Sequence, residues 1–265
     1  MKTYDFIGIG IGPFNLSIAA LAEGLDGFSS LFLERKPHFS WHPGMMVPDC
    51  HMQTSFLKDL VSAVEPTNRH SFLNYLVQRK KFYRFLTTEQ RTVSREEFAD
   101  YLCWAADNLT NLAFSQQVQQ VSFDEKKGLF EVVTQRDRFL ARHVCVGIGK
   151  QINLPDCVTA QDDTCFHASE MMLRTPDLAG KRVTVVGGGQ SGAATGTQAA
   201  LLRQRPDVSL IVMVVGGEDV LRQTAQQGLG VVFDEHQRPC LRQPAAGRRN
   251  GRRRTLCRGQ GGVSL

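Results

Sequence analysis

The sequence predicts an α/β protein with a three-layer architecture built on parallel sheets, and three features at its N-terminus predict it. The apolar run Tyr4–Ile9 favours a buried strand, and a glycine-rich turn and a helix-like run with apolar residues three and four positions apart follow it. A second apolar run then ends at an acid, Glu34. Strand, glycine turn, helix, strand and acid in this order are typical of a Rossmann-like nucleotide-binding unit.

The glycine-rich turn is the run Gly8-Ile9-Gly10-Ile11-Gly12-Pro13, with proline where the dinucleotide fingerprint usually has its third glycine. Gly8 permits a tight turn, and Gly10, which has no Cβ, lets a pyrophosphate approach N–H groups at the start of a helix. Pro13 suits the first helical turn, where its missing N–H costs little, and Glu34 can accept hydrogen bonds from ribose hydroxyls. The turn predicts a dinucleotide site; the alternative is a βαβ unit that holds no ligand.

A second glycine motif, Gly187-Gly188-Gly189-Gln190-Ser191-Gly192, follows a strand-like run at 181–186. Two such motifs, the first at the N-terminus, indicate FAD in the first unit and a nicotinamide nucleotide in the second, and therefore reduction of a flavin by a pyridine nucleotide. For the second motif alone, a turn without ligand stays an alternative, because the residues after Gly192 form a weak helix pattern.

Other patterns complete the predicted organisation. Residues 37–70 show no clean periodicity and are predicted as a long loop segment. Ser94-Arg95-Glu96-Glu97 is a capping box that begins a helix. Residues 118–123 and 129–134 predict a β-hairpin, and residues 141–146 predict a strand that leads into the turn Gly147-Ile148-Gly149.

The composition is that of a soluble globular protein, with 42% hydrophobic and 22% charged residues in 265. Its seven cysteines form no CxxC pair, which argues against a disulfide framework and a zinc site and favours a reducing cytoplasm. The N-terminus lacks the layout of a signal peptide, and no run approaches the roughly 18 apolar residues that span a bilayer. We therefore expect no metal site, no transmembrane segment and a cytoplasmic location.

The excess positive charge lies in the last quarter of the sequence. Residues 194–265 hold 11 Arg, no Lys and 5 acidic residues, whereas residues 1–193 hold 20 basic and 21 acidic residues. The first 193 residues therefore give no electrostatic case for a nucleic-acid partner. Arg without Lys, together with Gly and Gln, predicts a frameshifted or otherwise aberrant C-terminus, and the alternative is a genuine disordered basic tail. Within it, Val208–Gly217 favours a strand and a turn.

Residues 38–60, HFSWHPGMMVPDCHMQTSFLKDL, form an aromatic- and methionine-rich loop that suits an apolar cofactor ring. His42 and His51 have no acid or cysteine at a metal-ligand spacing. Lys58 beside Asp59 is by default a solvated surface pair.

This loop, together with FIGIGIGPFNLSIAAL, RTVSREEFADYL and CFHASEMMLRTPDLAGKRVTVVGGGQSGA, resembles the flavin-dependent N-hydroxylating monooxygenases. Within that family the sequence is most similar to the branch that hydroxylates L-lysine for aerobactin-type siderophores. The resemblance covers about residues 1–193. It implies a Rossmann-like FAD-binding domain over residues 1–165 and the start of a Rossmann-like NADPH-binding domain over 166–193, both incomplete. The change in composition adds an aberrant or disordered Arg/Gly/Gln-rich tail over 194–265.

The resemblance also implies the chemistry. FAD and NADPH are the cofactors, O2 is the co-substrate, and the side-chain amine of free L-lysine is hydroxylated through a flavin C4a-hydroperoxide. The flavin carries this chemistry, so no catalytic side chain is expected. The lysine amine has a pKa of about 10.4, and a water-poor pocket would enrich its neutral, nucleophilic form.

The site residues implied by the resemblance fall into three groups. The FAD turn comprises Gly8, Ile9, Gly10, Ile11, Gly12 and Pro13, with Glu34 as the ribose-binding acid. Trp41, His42, Met46 and Gln53 lie against the flavin, and Lys58 holds the amino-acid substrate together with Gln53. The NADPH contacts comprise Gly187, Gly189, Gln190, Ser191 and Gly192.

Several alternatives stay open from the sequence. L-Ornithine is the nearest alternative substrate. Another flavin oxidoreductase with two dinucleotide sites, of the thioredoxin-reductase type, is disfavoured by the missing CxxC. A non-enzymatic protein with a basic tail is the third alternative. The resemblance leaves a homo-oligomer and a peripheral contact with a membrane open.

We expect the 265-residue chain to have little or no hydroxylase activity. The reason is that the asparagines that grip the substrate and the late segment that completes the FAD sheet in this family have no counterpart in residues 194–265. The measurement is hydroxylamine formation from L-lysine by the purified chain with FAD and NADPH. Turnover equal to that of a full-length relative would contradict the expectation.

Overall fold

A computed structural model describes residues 2–150, 152, 165–174, 182–186, 210–214 and 230–233. Its strands form two sheets, one of six strands and one of four. The first sheet contains β1 (Thr3–Ile9), β2 (Ser30–Leu33), β3 (Leu112–Ala113), β4 (Val118–Asp124), β5 (Leu129–Thr134) and β6 (Arg138–Val146).

The six-stranded sheet has the order β3-β2-β1-β6-β5-β4. β1 lies at its centre and pairs in parallel with both β2 and β6. β4, β5 and β6 pair antiparallel, which confirms the predicted hairpin. The predicted βαβ unit is also confirmed, although its strand and helix begin one and two residues earlier than the sequence pattern indicates. Because β1, β2 and β6 are parallel, their carboxyl ends meet at one edge, where ligands bind in open α/β sheets.

Five helices are described, the longest being α1 and α4. Their bounds are α1 Pro13–Ala22, α2 Phe72–Gln78, α3 Phe82–Leu86, α4 Arg95–Asn108 and α5 Met171–Arg174. Between β2 and α2 the chain has only a 3-10 turn, Pro43–Met45, and an isolated bridge that joins His51 to Ser94. The predicted long loop over 37–70 is thereby confirmed.

The four-stranded sheet is parallel throughout and has the order β7-β10-β8-β9. Its strands are β7 (Cys165–His167), β8 (Arg182–Val186), β9 (Leu210–Val214) and β10 (Gly230–Phe233). β8 and β9 agree with the strands predicted at 181–186 and 208–217. β10 lies in the Arg/Gly/Gln-rich region, where the sequence pattern predicts little structure. The domain boundaries at residues 165 and 193 stay predictions.

The largest buried cluster joins α1, α2 and α4 to the first sheet. On β2, Phe32 belongs to this cluster, whereas Leu31 and Leu33 belong to a second cluster with β1, β5 and β6. This division is expected, because alternate residues of a strand point to opposite faces. Aromatic rings dominate the first cluster, and the closest rings within it include those of Phe72 and Tyr101, whose centroids are 5.3 Å apart in an edge-to-face arrangement.

The capping box of α4 is only half formed. The Ser94 Oγ accepts a hydrogen bond from the Glu97 N–H at 3.1 Å, as predicted. The Glu97 carboxylate does not return this bond; it accepts hydrogen bonds from the Tyr75 hydroxyl at 2.7 Å and from Lys81 Nζ at 2.8 Å. One of these donors lies on α2 and the other directly precedes α3. They take up the Glu97 carboxylate, so tertiary contacts override the local motif.

The long loop is anchored at its end by Asp59 and Tyr101. Asp59 accepts hydrogen bonds from the N–H groups of Val61 at 3.1 Å, Ser62 at 2.7 Å and Phe72 at 2.7 Å. The wholly buried Tyr101 hydroxyl accepts from the Leu60 N–H and donates to the backbone carbonyl of His70 at 2.8 Å. Burial raises the pKa of Tyr101 far above its usual value, so the hydroxyl stays a donor.

No helix in the described part of the chain is long and apolar enough to cross a bilayer.

Replacing Tyr101 by Phe is expected to lower the free energy of unfolding by about 1–3 kcal/mol, because the buried Leu60 N–H and His70 carbonyl both lose their partner. Urea denaturation monitored by far-UV circular dichroism measures the change. The matched control is Tyr83→Phe, since Tyr83 is 82% exposed. Equal stability of the two variants would contradict the expectation.

Candidate nucleotide-binding site

The glycine turn and Glu34 meet at the carboxyl edge of the first sheet, as the sequence predicts. The Ile11 N–H donates to Glu34 Oε2 at 2.9 Å, and the Lys36 N–H donates to Glu34 Oε1 at 3.1 Å. The Gly10 N–H donates to the Leu33 carbonyl at 2.8 Å. The acid that ends β2 is therefore held beside the turn that ends β1.

A second backbone approaches the turn from β6. The Gly147 N–H donates to the Ile9 carbonyl at 2.7 Å. Gly10 has a φ of +84°, and a Cβ at this position would lie 2.6 Å from the Gly147 carbonyl oxygen. A Cβ at Gly8 would overlap the Phe32 ring. Gly12 differs, because a Cβ there would approach no closer than 3.9 Å to the Gly147 carbonyl oxygen. The first two glycines are required by crowding, whereas the third is not.

Asn15 binds the turn after β1 and lies close to Gly147, and the sequence interpretation did not single it out. Its side chain is buried, and its Nδ2 donates to the carbonyls of Ile9 at 3.2 Å and Gly10 at 2.8 Å. A Cβ at Gly147 would lie 2.5 Å from this Nδ2. Its Oδ1 is buried and has no hydrogen-bond partner in the described part of the chain. The signal in the sequence was a polar residue among the apolar residues of α1.

The start of α1 is open to an anion. Gly12 is the N-cap residue, no side chain caps the helix, and its first turn contains no acid. Pro13 occupies the first turn, as predicted. N–H groups at a helix N-terminus favour negative charge, since the backbone dipoles there point their positive ends outward. This geometry fits a pyrophosphate.

The predicted flavin loop is the aromatic- and methionine-rich segment 38–60, and Trp41 and His42 lie near its start. The Trp41 ring lies 5.7 Å from that of Phe98 and 4.9 Å from the Arg95 guanidinium, measured to ring centroids and Cζ. His42 has a left-handed backbone with φ 44° and ψ 49°, which is uncommon for a residue other than glycine. Met46 follows the 3-10 turn and is half-buried.

Arg95 is a second residue that the sequence interpretation missed. Its guanidinium is half-buried, and among the described residues the buried Nε has no hydrogen-bond partner and no carboxylate pairs with the guanidinium. Burial lowers its pKa from the ordinary value. The capping-box pattern does not indicate that Arg95 packs on Trp41, because in that pattern position 95 is only the residue that follows the cap.

The loop packs on the same buried cluster as the turn. Phe39 and Leu60, which lie near its two ends, belong to the cluster that contains Ile11 and Leu16. The hydroxyl of Ser17 on α1 also donates to the Leu60 carbonyl. Tertiary packing thus brings residues 39–60 against the helix that starts at the glycine turn.

Gln53 and Lys58 are exposed, and neither side chain makes a hydrogen bond or an ion pair with the described residues. The default interpretation of Lys58 and Asp59 as a solvated pair is wrong for Asp59, whose carboxylate is taken up by backbone N–H groups. The roles of Gln53 and Lys58 in binding flavin or substrate stay predictions.

The second glycine motif lies outside the described residues. Gly187, Gly189, Gln190, Ser191 and Gly192 follow directly on β8, whose end at Val186 is described. Their contact with NADPH stays a prediction.

Residues 2–225 match the family described as L-lysine 6-monooxygenase/L-ornithine 5-monooxygenase. L-Lysine N6-monooxygenase of Escherichia coli is 64% identical over 192 residues, which are 72% of this chain and 45% of that protein. The chain thus spans about half the length of the curated relatives it matches. These findings confirm the predicted resemblance, and the family match extends beyond residue 193.

Two solved structures share the fold. The cadaverine monooxygenase of the desferrioxamine pathway of Erwinia amylovora, bound to FAD, is 33% identical with a TM-score of 0.77 over 84% of this chain and 56% of that chain. The ornithine N-hydroxylase of Kutzneria sp. 744, with reduced FAD, NADP+ and L-ornithine, is 31% identical with a TM-score of 0.71 over 84% of this chain and 57% of that chain.

Replacing Gly10 by Ala is expected to lower the free energy of unfolding by about 1–3 kcal/mol, because the methyl group meets the Gly147 carbonyl and φ is positive. Gly12→Ala is the matched control in the same turn, since its methyl group has room. Thermal and urea unfolding without ligand measure both variants. A Gly12→Ala variant as unstable as Gly10→Ala would contradict this account of the turn.

Proposed function

Since the chain belongs to the family of L-lysine 6-monooxygenases and L-ornithine 5-monooxygenases, we propose that it provides the FAD site of a monooxygenase that N-hydroxylates the side-chain amine of L-lysine. FAD and NADPH are the cofactors, and the product serves hydroxamate siderophore biosynthesis of the aerobactin type. The 64% identity to the lysine enzyme of Escherichia coli supports lysine as the substrate.

One observation carries the proposal for FAD. The start of α1 has no side-chain cap and no acid in its first turn, and it lies beside Glu34 and the turn in which Gly10 and Gly147 pack backbone to backbone without room for a Cβ. In this proposal the backbone N–H groups at the start of α1 bind the pyrophosphate, and Glu34 accepts hydrogen bonds from the adenosine ribose. Bound FAD supplies the redox chemistry, accepting hydride from NADPH and activating O2.

The long loop excludes water beside the ring. Trp41, His42 and Met46 are the residues we assign to the flavin contact, with Gln53 next to the substrate. An apolar wall of this kind favours the neutral amine over the ammonium, because a low-dielectric site disfavours charge. Exclusion of water would also slow the wasteful release of hydrogen peroxide.

Lys58 is assigned to the amino-acid end of the substrate. Its ammonium is exposed and makes no ion pair with the described residues, so it is available to a carboxylate. A carboxylate contact would select amino acids over diamines such as the cadaverine that the Erwinia amylovora enzyme uses. Gly187–Gly192 is assigned to NADPH, supported by the NADP+ in the Kutzneria structure.

We place the reaction in the cytoplasm. Four cysteines of the described residues, Cys50, Cys103, Cys145 and Cys165, are free thiols, and free thiols persist where the compartment is reducing.

We expect the chain to bind FAD and to quench its fluorescence, and Glu34→Gln to weaken binding about tenfold, because an amide replaces one charged acceptor by a donor. Fluorescence titration of FAD measures the dissociation constant. The control is Glu125→Gln, an exposed acid in the hairpin turn.

Absence of FAD binding by the unaltered chain would contradict the proposed function. Equal affinities of the Glu34→Gln variant and its control would contradict the assignment of Glu34 alone.

A further inference from the structure

The flavin loop touches the segment that follows β7 at a point where no side chain fits. Gly44 lies buried in the 3-10 turn Pro43–Met45. A Cβ at Gly44 would overlap the Ser169 carbonyl oxygen and would lie 2.7 Å from its carbonyl carbon and 3.2 Å from the Glu170 Cα. The obstacle is backbone, so no rotation of a side chain can relieve it.

The opposing backbone is itself held in place. Ser169 lies in the 3-10 turn Ala168–Glu170, and the Ser169 N–H donates to Nδ1 of the buried His167 at 3.1 Å. The Ser169 hydroxyl lies 2.7 Å from the same nitrogen. Phe166 and Met171, on either side, are buried in a cluster of their own. The turn therefore resists displacement.

The loop side is held at one further point. Trp41 packs against Phe98 and Arg95 of α4, whereas Gly44 packs against Ser169. Between these two contacts lies His42, with its left-handed backbone. A residue in that conformation persists only where its surroundings over-determine it. The α4 contact and the Ser169 contact together provide that constraint.

We propose that the turn Ala168–Glu170 is a positioning element for the flavin loop and that it acts through Gly44. The proposal rests on the proposed function, because it concerns where Trp41, His42 and Met46 stand relative to the flavin. Residues at the start of the predicted NADPH-binding region thereby set the geometry of the predicted FAD-binding region.

The test uses the 265-residue chain with Trp104 replaced by Phe, so that Trp41 is the remaining tryptophan of the two in the sequence. Gly44→Ala is compared with Gly24→Ala, where a Cβ would have no atom within 4 Å. Iodide quenching of Trp41 emission reports the loop without any cofactor. FAD titration and the visible spectrum of the bound flavin report the same loop with the cofactor.

Gly44→Ala is expected to raise the iodide quenching constant of Trp41 about twofold and to weaken FAD binding about fivefold, the scale of effect that one surplus methyl group produces in a packed site. The visible spectrum of the bound flavin is expected to shift, which a loss of stability alone would not cause. Gly24→Ala is expected to match the parent.

His167→Ala perturbs the Ser169 side of the same contact. It is the test variant if circular dichroism shows that Gly44→Ala does not fold. It removes the acceptor that holds Ser169, so it is expected to raise Trp41 quenching although residue 167 lies far from Trp41 in the sequence. Trp41 quenching unchanged from Gly24→Ala in the folded variants would overturn the proposal. Lack of FAD binding by the parent chain would contradict the proposed function, while Trp41 quenching would still decide this inference.

Discussion

The carboxyl end of β1 is a place where two backbones lie closer than any side chain allows. The Gly147 N–H meets the Ile9 carbonyl at 2.7 Å, and Gly10 turns beneath the Gly147 carbonyl with a positive φ. At this approach β6 pairs with β1 from Thr3 to Ile9. Glu34 lies beside the turn, and α1 begins at the same edge of the sheet. An uncapped helix start, a turn without room for Cβ atoms and an acid therefore lie together at this point.

The long loop is held by individual hydrogen bonds, because it contains almost no helix or strand. A loop of this length must satisfy its own backbone groups, since buried N–H and carbonyl groups without partners are costly. Asp59 and Tyr101 do so at its end, and the N–H of Met52 donates to the Val93 carbonyl at 2.8 Å in its middle. The loop can therefore hold a fixed shape while leaving Gln53 and Lys58 exposed for ligands.

The acid at the site has hydrogen-bond partners, whereas the two cations have no carboxylate partner among the described residues. Glu34 is paired with backbone N–H groups, Lys58 has no partner among the described residues, and Arg95 is half-buried on the face of Trp41 without an acid. A guanidinium on an aromatic face keeps part of its electrostatic stabilisation when water is removed. Lys58 and Arg95 are therefore cations without a carboxylate partner among the described residues, and such groups suit anionic groups on cofactor or substrate, in agreement with the proposed function.

The sequence alone determined the βαβ unit, the hairpin, the long loop and the glycine turn with Glu34, because local signals specify them: apolar periodicity, glycine positions and an acid at a strand end. It did not determine that Asn15 binds the turn of β1 next to Gly147, that the Glu97 carboxylate pairs with Lys81 and not with its cap, or that Gly44 lies against Ser169. Those contacts join residues that no spacing relates. Only the tertiary structure decided them, since which backbones approach each other depends on how the sheets and helices pack.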